Sequence, residues 1–151
     1  MVSFEQEIMT NSKIAPRIRA GLNIIHTSYW LNDRLNSFFK GFDLSQPQYN
    51  VLRILRGQRG RPINLKDIHS RMIERNSNTT RLVEKLRIKE LVDRTTCAEN
   101  RRKVEISITK KGLALLGQID PELSKMESEI FKRITKSDAV DLNILLNKLR
   151  G

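Results

Sequence analysis

The chain has one cysteine, Cys97, in 151 residues. No intrachain disulfide can form, which suits a reducing compartment. The two histidines, His26 and His69, lie far from each other and from Cys97, so no metal-ligand spacing exists. There are only 7 glycines, and none builds a Gly-rich phosphate loop. No acid pair or nucleophile constellation is present, and the expectation is a protein that is not an enzyme and carries no cofactor. No run of 18 apolar residues exists, so no membrane span is expected. The opening MVSFEQEIMTNSK has no apolar run between a basic start and a small-residue site, so no secretory signal is expected. The reading is a cytoplasmic protein.

Acidic residues are also scarce: 17 Asp and Glu face 28 Lys and Arg, for a net charge of +11. The excess is concentrated. Residues 44–110 hold 16 bases and 7 acids, net +9, and the rest of the chain is close to neutral. A basic block in a nearly neutral frame points to an anionic polymer as partner.

Helical periodicity dominates. A first helix should start near Pro16, fraying back to Ser12 and stopping at Gly41. Its stripes are Ile18, Leu22, Ile25, Tyr29 and Leu31, Leu35, Phe38, Phe42, and two apolar sides imply two partners. Ser45-Gln46-Pro47-Gln48 starts a second helix, with Tyr49, Leu52 and Leu55 or Ile54 inward, and GQRGRP (57–62) ends it. Asn64 caps a third, burying Leu65, Ile68 and Met72. After a tight turn, NSNTTRLVEKLRIKE (76–90) makes a fourth that buries Leu82, Val83 and Leu86. Val92 to Thr96 and Val104 to Ile108 read as strands, the second with a period of two. Thr109 caps a long helix through Leu116, Ile119, Leu123, Met126, Ile130 and Ile134, continuous but kinked at Pro121. Thr135 with Asp138 opens the last helix, with Leu142, Leu145, Leu146 and Leu149 on one face.

Two helices followed by a hairpin describe a winged helix-turn-helix, giving a mainly α fold with a small β-hairpin wing (α+β). The polar face of the fourth helix shows Ser77, Asn78, Thr80, Arg81 and Lys85. Short polar side chains permit close approach to a major groove about 12 Å wide. Arg81 can fork onto guanine or phosphate, and Lys85 suits phosphate. Arg101, Arg102 and Lys103 fall at the hairpin tip, where arginine fits a narrow minor groove; the same charges would also guard an edge strand against aggregation. Double-stranded DNA is the expected partner.

From about Ser45 to Gly112 the chain resembles the MarR family of transcription regulators. The resemblance rests on Leu65-Lys66-Asp67-Ile68-His69, Thr80-Arg81-Leu82-Val83-Glu84-Lys85-Leu86, Asn100-Arg101-Arg102, and Glu105-Ile106-Ser107-Ile108-Thr109-Lys110-Lys111-Gly112. It implies that Arg102 is a minor-groove finger. Asn100 stands where the family has an acid, so a hydrogen bond must replace an ion pair. Glu90 stands where a glycine commonly ends the recognition helix, and His69 replaces a small residue.

The flanking helices carry more apolar surface than a winged module can cover. The expected organisation is residues 44–110 as the DNA-binding module, with 12–42 and 111–151 as a helical dimerisation region, and the resemblance implies a homodimer whose recognition helices meet a palindrome. It also implies a small aromatic or phenolic effector in a cleft that His26, Tyr29 and Trp30 would line; the alternative is that these three are ordinary core residues. Cys97 is a candidate redox sensor only if nearby arginines lower its thiol pKa. The resulting reading is a ligand-responsive repressor. The rivals are a ligand-independent architectural DNA-binding protein and a winged-helix adaptor for an acidic protein.

Overall fold

The computed structural model describes residues 3–96 and 104–151. The chain divides into two compact units, Met1–Gln46 and Pro47–Gly151.

In the first unit, α1 (Phe4–Glu7) precedes α2 (Pro16–Lys40). The short α1 has no counterpart in the sequence reading. Ser3 makes it possible by a capping box: the Gln6 N–H donates to Ser3 Oγ, and the Ser3 N–H donates to Gln6 Oε1 at 2.8 Å. Phe4 is buried, its ring edge-on to His26 at 5.9 Å between centroids. Helix α2 starts at Pro16 and does not fray back to Ser12, because the proline disfavours helical geometry at the preceding Ala15, which is extended at ψ 139°. It ends at Gly41 as expected, but Gly41 is right-handed and Asp43 takes the left-handed turn at φ 54°. Phe39 is the one residue of α2 that is fully buried. Ile18, Leu22, Ile25 and Tyr29 stand 62%, 41%, 55% and 68% exposed.

The second unit holds α3 (Gln46–Gly57), β1 (Ile63–Asn64), α4 (Leu65–Arg71), α5 (Thr79–Ile88), β2 (Val92–Thr96), β3 (Val104–Ile108), α6 (Lys110–Phe131) and α7 (Lys136–Arg150). Its core is formed by Tyr49, Val51, Leu52 and Leu55 of α3, Ile68, Met72, Val83, Leu86, Val92 and Ile106, with Leu116, Ile119 and Leu123 from α6. Leu55 is buried and Ile54 only half-buried, which settles the two candidates for that position. The sheet runs β1-β3-β2, antiparallel throughout. The expected strands occur within their expected bounds. The two-residue β1, pairing Ile63 with Ile106, was not expected, because two residues are too few to show a period.

Helix α6 passes through Pro121 without interruption, as its apolar register implied. Its N-terminus is built by Thr109, whose Oγ1 accepts from the Gly112 N–H at 3.0 Å and donates to the Glu90 carbonyl at 2.8 Å. The Thr109 N–H donates to the Leu91 carbonyl at 3.1 Å. One threonine thus ties the start of α6 to the end of α5. Helix α7 begins with the expected Thr135–Asp138 capping box. It buries nothing: Leu142, Leu145 and Leu149 are 44%, 63% and 69% exposed.

Glu90 adopts φ 62°. This is the left-handed turn that follows many helices and favours glycine. Its carboxylate is held below the usual carboxylate range by a hydrogen bond from Lys111 Nζ at 2.7 Å. That exposed contact offsets only part of the backbone cost. Glu90→Gly is therefore expected to raise the melting temperature by about 2–4 °C, a shift readable by calorimetry. A lower melting temperature would show that the Lys111 contact outweighs the strain.

Candidate nucleic-acid interface

Helix α5 begins later than the sequence suggested, at Thr79. Asn78 is its N-cap, its side-chain oxygen accepting from the Arg81 N–H at 3.0 Å. Ser77 Oγ donates to the Glu74 carbonyl at 2.7 Å. Both residues were expected on the polar face of the helix. Instead they precede it, because an asparagine that can cap competes better outside a helix than within it. The link between α4 and α5 is accordingly the whole of residues 72–78, not a tight turn. Its entry is anchored by Asn50 of α3, whose Oδ1 accepts from the Ile73 N–H at 3.1 Å.

What remains outward on α5 is Thr80, Arg81, Glu84, Lys85, Arg87 and Ile88, while Thr79, Val83 and Leu86 face the core. Thr79 is a site residue in the packing sense: its Oγ1 meets His69 Nδ1 at 3.1 Å, joining α4 to α5. His69, where the family resemblance puts a small residue, is thus accommodated by a hydrogen bond.

The cations of this module fall into two groups. Arg56 is committed to structure: its Nη1 and Nη2 donate to Asp120 at 2.6 and 3.2 Å, linking α3 to α6. That hydrogen bond holds the Arg56 guanidinium above its ordinary range. Arg87 is likewise bound to Glu84, a turn away on the same helix, at 2.8 Å, and the guanidinium holds that carboxylate low. Lys66, Arg71, Arg75, Arg81 and Lys85 are exposed and have no ion pair among the described residues. Their charge is available to an anionic partner. Arg71 and Arg75 were not singled out from sequence: they stand at the end of α4 and in the 72–78 segment that leads into α5, outside the helix face the periodicity marks.

The wing's strands are paired from Val92↔Ile108 to Thr96↔Val104. The expected tip residues Arg101, Arg102 and Lys103, together with Cys97 and Asn100, lie outside the described residues.

His26, Tyr29 and Trp30 all sit on α2. Tyr29 is 68% and Trp30 41% exposed, so the alternative of ordinary core residues does not hold within the single chain. The Arg34 guanidinium covers the Trp30 ring at 4.4 Å, a cation–π contact. His26 Nδ1 lies 3.7 Å from Glu7 Oε2. A separate groove of about 690 Å³, lined by Glu5, Thr10, Lys13, Pro16, Arg19 and Asn23 among others, contains none of the three. No helix among the described residues is long and apolar enough to cross a membrane.

The arrangement has clear counterparts. Residues 44–104 match the sequence model of the MarR family. The HTH-type transcriptional regulator MhqR of Bacillus subtilis (strain 168) is 27% identical over 108 residues, covering 72% of this chain and 73% of that one. A MarR transcription factor from Planctomyces limnophilus superposes with a TM-score of 0.71 at 28% identity, covering 91% of this chain and 99% of that one. Bordetella bronchiseptica BpsR, whose DNA binding is regulated by 6-hydroxynicotinic acid, shares the fold with a TM-score of 0.78 at 19% identity, over 92% of this chain and 98% of that one. Members of this family are transcriptional regulators and not enzymes. The winged module of residues 44–104 thus carries the pattern of the MarR family of transcriptional regulators, and the helices on either side of it share the fold of MarR-family structures.

Proposed function

We propose that this regulator works in the cytoplasm as a homodimer that binds a palindromic duplex operator and represses until a small aromatic or phenolic effector releases it. The observation that carries the DNA-reading part is the outward face of α5, where Thr80, Arg81 and Lys85 are exposed and neither cation has an acidic partner among the described residues. Arg81 reads a base edge from the first turn of the helix, and Lys85, one turn on, takes a phosphate. Ser77 and Asn78 shape and cap the helix start and approach the backbone. Arg101, Arg102 and Lys103 grip the neighbouring minor groove, with Arg102 as the finger.

The dimeric part rests on apolar surface that a single chain leaves open. The stripe of α2 and the leucines of α7 are both exposed beyond what an ordinary surface helix carries. Residues 12–42 and 111–151 are accordingly the dimerisation region, and 44–110 the DNA-binding module. BpsR supports an effector, and exposed Tyr29 and Trp30, with His26, are the side chains offered to it.

Selection of bound duplexes from a random pool tests this reading. The wild type should recover a two-fold symmetric consensus. Arg81→Ala should weaken binding to it by roughly 1–3 kcal/mol per half-site and relax the preference at one base pair in each. Equal weakening on every sequence would remove Arg81 from base reading. Recovery of no consensus would favour an architectural or adaptor role.

A further inference from the structure

Ile73 is 82% exposed, in the segment that carries the chain from α4 into the N-terminus of α5. Single exposed apolar residues are common on protein surfaces. Three features set this one apart. Its backbone is pinned, the N–H donating at 3.1 Å to Asn50 Oδ1 from a helix 23 residues away in sequence. The chain after it is closed by Ser77, whose N–H and Oγ both donate to the Glu74 carbonyl, at 3.3 and 2.7 Å. It is also flanked by two exposed arginines, Arg71 and Arg75. An apolar side chain is thus exposed at a backbone position tied to α3, in the segment that leads into the start of α5, with an exposed arginine two residues away in sequence on either side.

The major groove offers one apolar feature, the C5 methyl group of thymine. We infer that Ile73 is a specificity-determining residue that packs on a thymine methyl in each half-site, while Arg71 and Arg75 neutralise the phosphates on either side. This inference rests on the DNA-binding reading above. It extends readout from the outward stripe of α5 to the segment before it, and it makes Asn50 a positioning residue for a base contact it does not itself make.

The test replaces thymine by deoxyuridine at each position of the selected operator. This removes the methyl and keeps every hydrogen-bonding group. Wild-type binding should fall about fourfold for each thymine replaced and about 16-fold at one symmetric pair, the value of one buried methyl-sized group in each half-site. Ile73→Ala should lose a similar factor on the thymine duplex and show no further loss with deoxyuridine at that pair. Asn50→Ala should reduce the methyl sensitivity while Ile73 is still present. Melting curves matching wild type confirm that the Ile73 variant is folded. Equal binding of thymine and deoxyuridine duplexes by the wild type at every position overturns the inference, and so does a loss by Ile73→Ala that stays sensitive to deoxyuridine. In either case the symmetric consensus still stands, so the failure is separate from failure of the DNA-binding reading.

Discussion

Gly112→Ala is expected to be among the most damaging single substitutions in the chain. A Cβ at this position would stand 2.3 Å from the Leu91 carbonyl oxygen, 2.8 Å from Ile108 Cγ1 and 3.3 Å from the Leu91 carbonyl carbon. The first of these contacts is with backbone, so no rotamer change relieves it. Relief requires α6 to back away from Leu91, which would break the Thr109 N–H bond to that same carbonyl and the Thr109 Oγ1 bond to Glu90. Overpacking of this kind costs about 1–3 kcal/mol and sometimes more, and a backbone clash with two hydrogen bonds at stake belongs at the upper end. The expected fall in melting temperature is about 6–12 °C. Gly117 supplies the control: it lies in the same helix with open space where its Cβ would be, so Gly117→Ala should be neutral or stabilising. A Gly112→Ala protein that melts within 2 °C of wild type would refute the close approach.

Binding to the operator should collapse with salt. Lys66, Arg71, Arg75, Arg81 and Lys85 offer exposed positive charge in each chain, and the proposed dimer doubles that number. If roughly 6–10 phosphates are neutralised, log affinity falls against log salt with a slope of about −5 to −9. Raising salt from 50 to 200 mM then weakens binding by about 10³–10⁵. The loss should be shared by random duplex, whereas the preference for the operator should persist. Lys85→Ala should flatten the slope by about one unit per site without altering the consensus. A loss below tenfold over that salt range would mean that these cations do not face phosphate.

The parts of the fold that were legible in the sequence are those set by local chemistry. Asn64, Thr109 and Thr135 each announced a helix start and each caps one, because the donor and acceptor lie within three residues of each other. The register from Leu116 to Ile130 correctly argued for one helix across Pro121, although α6 ends at Phe131 and Ile134 lies beyond it. Glu90 was legible as a conflict, an acid where a glycine is usual, and the conflict resolved into a left-handed glutamate braced by Lys111. What escaped was either too short or too distant. The α1 turn and the two-residue β1 are below the length at which periodicity speaks. The Asn50–Ile73 bond and the Arg56–Asp120 pair join residues 23 and 64 apart in sequence, and no local signal marks them. The placement of Ser77 and Asn78 failed differently. Both are polar and were expected on the DNA-facing side of the helix, but capping and helix-face roles draw on the same residue types, and only the position of the first helical hydrogen bond separates them.

That capping role limits how much sequence one recognition helix can distinguish. With Asn78 capping α5 through its side-chain oxygen and Ser77 donating to the Glu74 carbonyl before the helix starts, the polar groups that the first turn of α5 itself turns outward are Arg81 with Thr80 beside it. A good bidentate contact separates right from wrong bases by about 1–3 kcal/mol, whereas finding one operator among a genome's competing sites takes about 4–10 kcal/mol. One copy of the helix falls short of that, and two copies reach only its lower part. Beyond the single thymine methyl inferred for Ile73, the information missing from α5 is left to symmetry and to DNA shape: two-fold repetition of a terse half-site, and a preference for duplexes whose flanking minor grooves are already narrow. An operator for this regulator should accordingly look short at each contacted half-site and unusually A·T-rich beside it.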